Sequence, residues 1–466
     1  MASTSDQAAI AAHRFGLGEP ELAALQADPA GWLRAQIGPG DAARGDNLLD
    51  TAFALKEVEA LRERRRMARA TAPASAAASS AAVPRDNAVR DIDLADGRSR
   101  LLTAITTARP FAERLTRFWA NHFTVSLAKG SCEGLCGAFE RDAIRPHIAG
   151  NFEQLLFAAT THPAMLRYLD NDQSAGPNSR AAKRRAQRPP SSADDRPAPR
   201  LGINENLARE LLELHTLGAT SSNAEYGYTQ ADVTALAAVL SGWRVTSQMP
   251  DWRRPFDAAW HEPGSKTILG KTYREGHDAL RQVLHDLAHH PATARFIATK
   301  LARHFSSDDP PPALVDRLAL AYLRSTGELG AVYQALIESP ETWAPEAAKL
   351  KTPEEFIVSS ARLLGLSVEA TANASTALGQ RVQAPPSPAG WSDRAEDWLG
   401  PDAVWKRVEW ATRTAASAGQ RIDARALAQQ SFGDALGATT ATQLARAADG
   451  AQAVALLLMS PEFQRR

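Results

Sequence analysis

In stretch after stretch of this chain, apolar residues recur three and four positions apart, while alternating runs of Val, Ile and Thr are scarce. Thr229-Gln-Ala-Asp232 sets a capping threonine three residues before an aspartate. Val233, Leu236, Ala237 and Leu240 then follow at helical spacing until Gly242 ends the run. The same spacing predicts helices from Phe111 to His122, Phe152 to Thr161, Leu207 to Leu217, Ala279 to His289, Ala292 to Phe305, Ala313 to Arg324, Phe356 to Leu364 and Ala451 to Met459. A charged helix is expected around Lys56 to Arg66. The expected fold is all-α, an irregular multi-helix bundle with long loops, and no sheet is predicted.

Four junctions repeat a polar residue followed by proline: His162-Pro163, His290-Pro291, Ser339-Pro340 and Ser460-Pro461. They suit an N-cap with proline at the first helical position. Their unequal spacing excludes a solenoid, which needs a fixed period.

Lys plus Arg equals Asp plus Glu, at 53 each, which excludes a surface built wholly to hold nucleic acid, and no nucleic-acid partner is expected. With 44% hydrophobic and 23% charged residues, neither wholesale disorder nor a membrane protein fits. No window reaches the roughly 18 apolar residues of a membrane helix, and no basic segment followed by an apolar run marks an export signal, so a cytoplasmic protein is expected. Cys132 and Cys136 are read as free thiols without a role.

Two segments lack helical periodicity. An Ala/Ser/Pro tract from about Ala70 to Arg90 reads as a mobile loop. The stretch from Gln173 to Arg200 carries seven cations against two aspartates, an excess of five, with Pro189, Pro190, Pro197 and Pro199 in its second half. It reads as a disordered basic linker between a helical part at 1–172 and another at 201–466, the two packing as one globular unit.

Polar density peaks in Asn204-Glu-Asn206-Leu-Ala-Arg209-Glu210-Leu-Leu-Glu213-Leu-His215. On an ideal helix Asn206, Arg209, Glu210 and Glu213 fall within about 100° of one another, while His215 lies about 180° from Asn206 on the apolar face. A helix whose Glu210 and His215 share a metal therefore fails on geometry. The stripe is either a solvated face with an Arg209–Glu213 pair or one wall of a polar cleft. In Arg114-Leu-Thr-Arg117-Phe-Trp-Ala-Asn121-His122, the histidine joins the apolar stripe of Phe111, Leu115 and Phe118, and Asn121 shares a face with Arg114 and Arg117. His285 and His289 stand at a metal-binding spacing, but with no intervening glutamate or evident third ligand they read as an exposed face. Arg14-Phe-Gly-Leu-Gly18 reads as a turn after a short helix, without the strand or third glycine of a dinucleotide loop. No nucleophile elbow, Walker loop or zinc-finger spacing is present.

One ordered set of segments resembles the bacterial family catalogued as domain of unknown function 1800 across nearly the whole chain. It comprises Arg14-Phe-Gly-Leu-Gly, Arg117-Phe-Trp-Ala-Asn-His-Phe-Thr-Val-Ser126, Pro163-Ala-Met-Leu-Arg-Tyr-Leu-Asp170, Asn204 to Gly218, Tyr228 to Val233, Ser241-Gly-Trp243, Leu350-Lys-Thr-Pro353 and Pro385-Pro-Ser-Pro-Ala-Gly-Trp391. The resemblance implies no reaction. It does imply relatives that are often exported and encoded beside a sulfatase-like protein, a partner that is an expectation for this chain too. The chain departs from it by the missing export signal and by the basic stretch between Asp170 and Asn204.

The reading that joins these motifs brings Asp170, Asn204, Asn206, Arg209, Glu210 and Glu213 up to Asn121 and His122. As an enzyme, Glu210 and Glu213 would be bases or ligands of a divalent metal, Arg209 would hold an anionic group, and His122 would move a proton or bind metal. Asn121, Asp170, Asn204 and Asn206 would bind. The alternative is a non-catalytic binding or assembly protein whose polar residues form a satisfied network.

Overall fold

Each of the four polar-residue–proline junctions opens a helical segment, with proline first. His162, His290 and Ser460 cap Pro163–Tyr168, Pro291–Phe305 and Pro461–Gln464 through their side chains. Both histidines do so by accepting an amide hydrogen on Nδ1. Ser339 opens Pro340–Trp343 without a side-chain cap, because its hydroxyl instead takes a bond from Arg317. In this computed structural model, residues 4–71, 87–187, 201–219, 227–245, 251–253, 255–419 and 421–466 are described. The fold is predominantly all-α, 63% helix against 3% strand. No described helix is long and apolar enough to cross a membrane.

The Thr229–Asp232 capping box forms as the spacing predicts, opening Gln230–Leu240. A two-stranded hairpin, Lys266–Ile268 with Lys271–Tyr273, is what the periodicity did not predict. Its strands are three residues long, and both turn residues, Leu269 and Gly270, sit at positive φ. The Leu269 amide donates to Asp232 of the capping box at 2.7 Å, which anchors the turn to the helix.

The basic stretch is not a linker throughout. Ser179 caps a helix over Arg180–Ala186, the Ala181 amide bonds to Ala259, and Asn178 donates to Glu262 at 2.6 Å. Residues 173–187 are therefore ordered on the 257–262 segment, and the rest of that expected linker lies outside the described residues. So does most of the Ala/Ser/Pro tract, which is flanked by the helices Thr51–Thr71 and Asn87–Thr106.

The main apolar core takes residues from Ala8 to Ile337, on both sides of the basic stretch, so the two halves of the chain share it. Trp119, fully buried, sits among Phe118, Phe123 and Phe152 and donates its indole N–H to Tyr333 at 2.6 Å. A second core runs from Phe356 to Phe463. The division between these two clusters falls near residues 340–355. Polar bonds cross it: His13 to the Ser431 carbonyl at 2.7 Å and Arg362 to Glu19 at 2.6 Å.

Candidate functional site

The Pro110–His122 helix is buried on nearly every side. Phe111, Leu115 and Phe118 face the aromatic core, as the spacing predicts. The opposite face of Glu113, Arg114, Arg117 and Asn121 meets a second set of charges instead of water. Arg145 bridges Glu113 and Glu140, each at 2.7 Å. Arg100 binds Glu140 and also Glu354, the latter at 3.0 Å, and Arg117 reaches Glu354 at 2.5 Å. Arg114 pairs with Glu355, which also takes the Arg466 guanidinium at 3.0 Å. Buried charges are tolerable only when paired and hydrogen-bonded in this way. Burial alone would raise the Glu140 carboxyl, but the Arg100, Arg145 and Arg117 guanidiniums outweigh it and hold the group at about 2.

Asn121 acts on backbone. Its side-chain carbonyl accepts the Trp391 amide at 2.8 Å, and its amide donates to the Trp391 carbonyl at 2.9 Å. Ser126 donates to the Pro385 carbonyl at 2.7 Å, and the Leu127 amide to Gln383 at 2.9 Å. Gly390, at φ +83°, lies so close that a β-carbon would stand 2.5 Å from the Asn121 carbonyl oxygen. The Asn-His-Phe-Thr-Val-Ser segment therefore clamps the Pro-Pro-Ser-Pro-Ala-Gly-Trp loop.

The clamped loop lines one side of a cavity of about 390 Å³. The helix Pro291–Phe305 supplies its other wall. Lys300, Arg303 and His304 stand on that wall at a spacing of three and four, hence on one face. His304 donates from Nδ1 to Asp393 Oδ2 at 2.9 Å, and its buried Nε2 has no hydrogen-bond partner among the described residues. Burial lowers the His304 pKa and Asp393 pulls it back up. Asp393 itself, raised by burial but outweighed by His304, Lys349 and Arg466, is held at about 2. Lys300 makes no hydrogen bond or ion pair among the described residues, and its Nζ stands 5.6 Å from the centre of the Phe296 ring. Burial, partly offset by Asp393, pulls its ammonium down to about 8. Around the cavity, seven cations (Arg100, Arg114, Arg117, Lys300, Arg303, Arg381 and Arg394) face four carboxylates (Glu140, Glu354, Glu355 and Asp393), leaving three positive charges in excess.

Of the eight residues the motifs singled out, Asn121 and His122 line this cavity and the other six do not. His122 packs its ring on Trp119 and Phe123, turns Nε2 to the His215 carbonyl at 3.2 Å and leaves Nδ1 without a hydrogen-bond partner among the described residues. Burial, Lys300 and His215 keep it neutral. Asp170 pairs with Lys129 at 2.6 Å. Asn204 caps the Asn206 amide, and Asn206 is exposed. Arg209 joins Glu205 at 3.2 Å and Gln230 at 3.1 Å, in place of the expected pair with Glu213. The cause is a change of pitch: the α-helix Asn206–Glu210 runs into a π-helix over Leu211–Thr216, so residues four apart no longer align. Glu213 instead lies 3.5 Å from the Tyr228 hydroxyl. The Glu210 carboxyl is raised by burial and by Glu213. From this segment only Leu214 reaches the cavity. These carboxylates and His122 are not grouped as ligands of one ion. The group of His, Cys, Asp or Glu that does meet the spacing, among the described residues, is Glu153, His285 and His289.

Sequence reasoning missed Lys300, His304 and Asp393. The Lys300–His304 spacing was a usable signal, but Asp393 lies 89 residues on, in a loop without period.

Residues 10–465 match the family model described as a protein of unknown function, DUF1800. The chain belongs to that family. The DUF1800 match contains every residue that lines the cavity. No curated protein and no solved structure matches the chain.

Proposed function

We propose that the cavity binds a small anionic molecule and that His304, oriented by Asp393, takes a proton from it or from a water beside it. The observation that carries this is the buried Nε2 of His304, without a hydrogen-bond partner among the described residues, on a wall where Lys300 makes no hydrogen bond or ion pair among them either. With Nδ1–H engaged by a carboxylate, neutral His304 holds its lone pair on Nε2, as a general base must. Lys300 and the positive excess supply the attraction for a carboxylate or phosphate group. His122 adds a second free ring nitrogen. Asn121 has a positioning role, holding the loop that carries Asp393. The substrate class this supports is an anionic ester or acid small enough for about 390 Å³. The test is a panel of carboxylic and phosphoric esters assayed with wild type and His304→Gln. Turnover that His304→Gln abolishes while the protein stays folded supports the reading, and equal turnover by both contradicts it.

A second reading, binding or assembly beside a sulfatase-like partner, draws on Val404, Trp405 and Val408, exposed on Pro401–Ala418, with Trp405 at 66%. Co-purification with such a protein, lost in Trp405→Ser, is its test.

A further inference from the structure

The geometry points to a transition-metal site formed by Glu153, His285 and His289, separate from the cavity, which none of the three lines. His285 and His289 lie one turn apart at the end of His277–Ala288, their rings 4.3 Å apart. Glu153 comes from a different helix, Phe152–Thr161, 132 residues away, and its Oε2 stands 2.8 Å from His285 Nδ1. Each residue offers one ligand atom, and all three atoms lie within 4.8 Å of one another.

Two features make this more than a chance meeting on the surface. His289 donates from Nδ1 to the His285 carbonyl at 2.7 Å, which fixes the tautomer with the Nε2 lone pair free and orients the ring, as backbone carbonyls do for metal-bound histidines. Glu153 is steadied in turn, because Asn151 caps its helix by accepting the Glu153 amide at 2.9 Å. Bonds of about 2.0–2.1 Å to zinc place tetrahedral ligands about 3.3 Å apart. The His285–Glu153 distance is already close to that edge, with the metal taking the place of the shared proton. The remaining closure is a small rotation of side chains that are exposed or half-buried.

Two imidazoles and one carboxylate select an ion such as Zn²⁺ over Mg²⁺ or Ca²⁺, which prefer oxygen alone. Three protein ligands leave a coordination position for water. The nearby Asp286 is already held by Lys271 and Tyr273, both at 2.6 Å, and stays outside the set.

The experiment is calorimetric titration of the full, untagged, chelator-treated chain with zinc chloride, alongside His285→Ala, His289→Ala and Glu153→Gln, with thermal unfolding of each measured with and without zinc. The expected result is one zinc per chain in the wild type, affinity at least tenfold weaker in both histidine variants, and a rise in Tm on adding zinc that those variants lose. Glu153→Gln keeps the capped helix and is expected to weaken binding by several-fold. Wild type that takes up no zinc, or histidine variants that bind it as tightly as wild type, overturns the site. Metal-free melting temperatures of the variants close to wild type exclude misfolding as the reason for any loss.

Discussion

His304 and Asp393 meet through one 2.9 Å hydrogen bond that joins the helix of one core to the loop at the edge of the other. Its consequence is chemical as well as structural. The bond fixes which ring nitrogen carries the proton and leaves the other bare in a cavity rich in cations. Lys349, 3.5 Å from Asp393, and Arg466, 3.7 Å from it, hold Asp393 ionised from behind.

Replacing His304 by Gln removes the proton acceptor but keeps a polar side chain of similar reach. Turnover of any ester that the wild type consumes is expected to fall by about 10²–10⁴, while anion affinity, read by titration, changes by less than about threefold.

The loop clamp predicts a steric effect. Gly390→Ala puts a β-carbon 2.5 Å from the Asn121 carbonyl oxygen, at a φ of +83° that side chains avoid. A loss of about 1–3 kcal/mol is expected in urea unfolding. Asn121→Ala leaves the Trp391 amide and carbonyl unpaired and costs a similar amount.

Arg145→Met tests the charge network. The substitution strands Glu113 and Glu140 without the guanidinium that bridges them, both buried. Loss of about 3–5 kcal/mol is expected, much larger than for an exposed pair such as Arg66–Glu63.

Stability is expected to fall as pH drops below neutrality. Burial lowers His13, His162 and His215 to about 3, against about 6.5 in the unfolded chain. Between those values the unfolded state binds more protons, so each histidine removes up to about 1.4 kcal/mol per pH unit on acidification. Glu140, held at about 2, adds a loss in the same direction below pH about 4.3. Urea unfolding at pH 7.5, 6 and 5 checks this, with His162→Gln expected to flatten the slope. A flat profile over that range contradicts it.

Much of the fold was legible because its helices carry their signals locally. The cap at Thr229, the prolines after His162 and His290, and the stripe of Phe111, Leu115 and Phe118 each act within one or two turns. The face shared by Arg114, Arg117 and Asn121 was legible too, though periodicity could not tell a cavity wall from a solvated surface. The π-helix at Leu211–Thr216 left no mark in the pattern, so the Arg209–Glu213 pair was expected where none forms. Asp393 and Glu153 were beyond reach for a different reason. Each completes its group from a distant part of the chain, 89 and 132 residues away, through a loop or a second helix that only the packing places.

The central claim is that the cavity holds an anion through Lys300. Its most direct test is calorimetric titration of inorganic phosphate and of a short-chain carboxylate into wild type and Lys300→Gln. Saturable binding of one anion per chain, weakened roughly 10- to 100-fold by the substitution, is the expected result for loss of one charged hydrogen bond. No saturable binding of either anion, or equal affinity in the two proteins, contradicts the account.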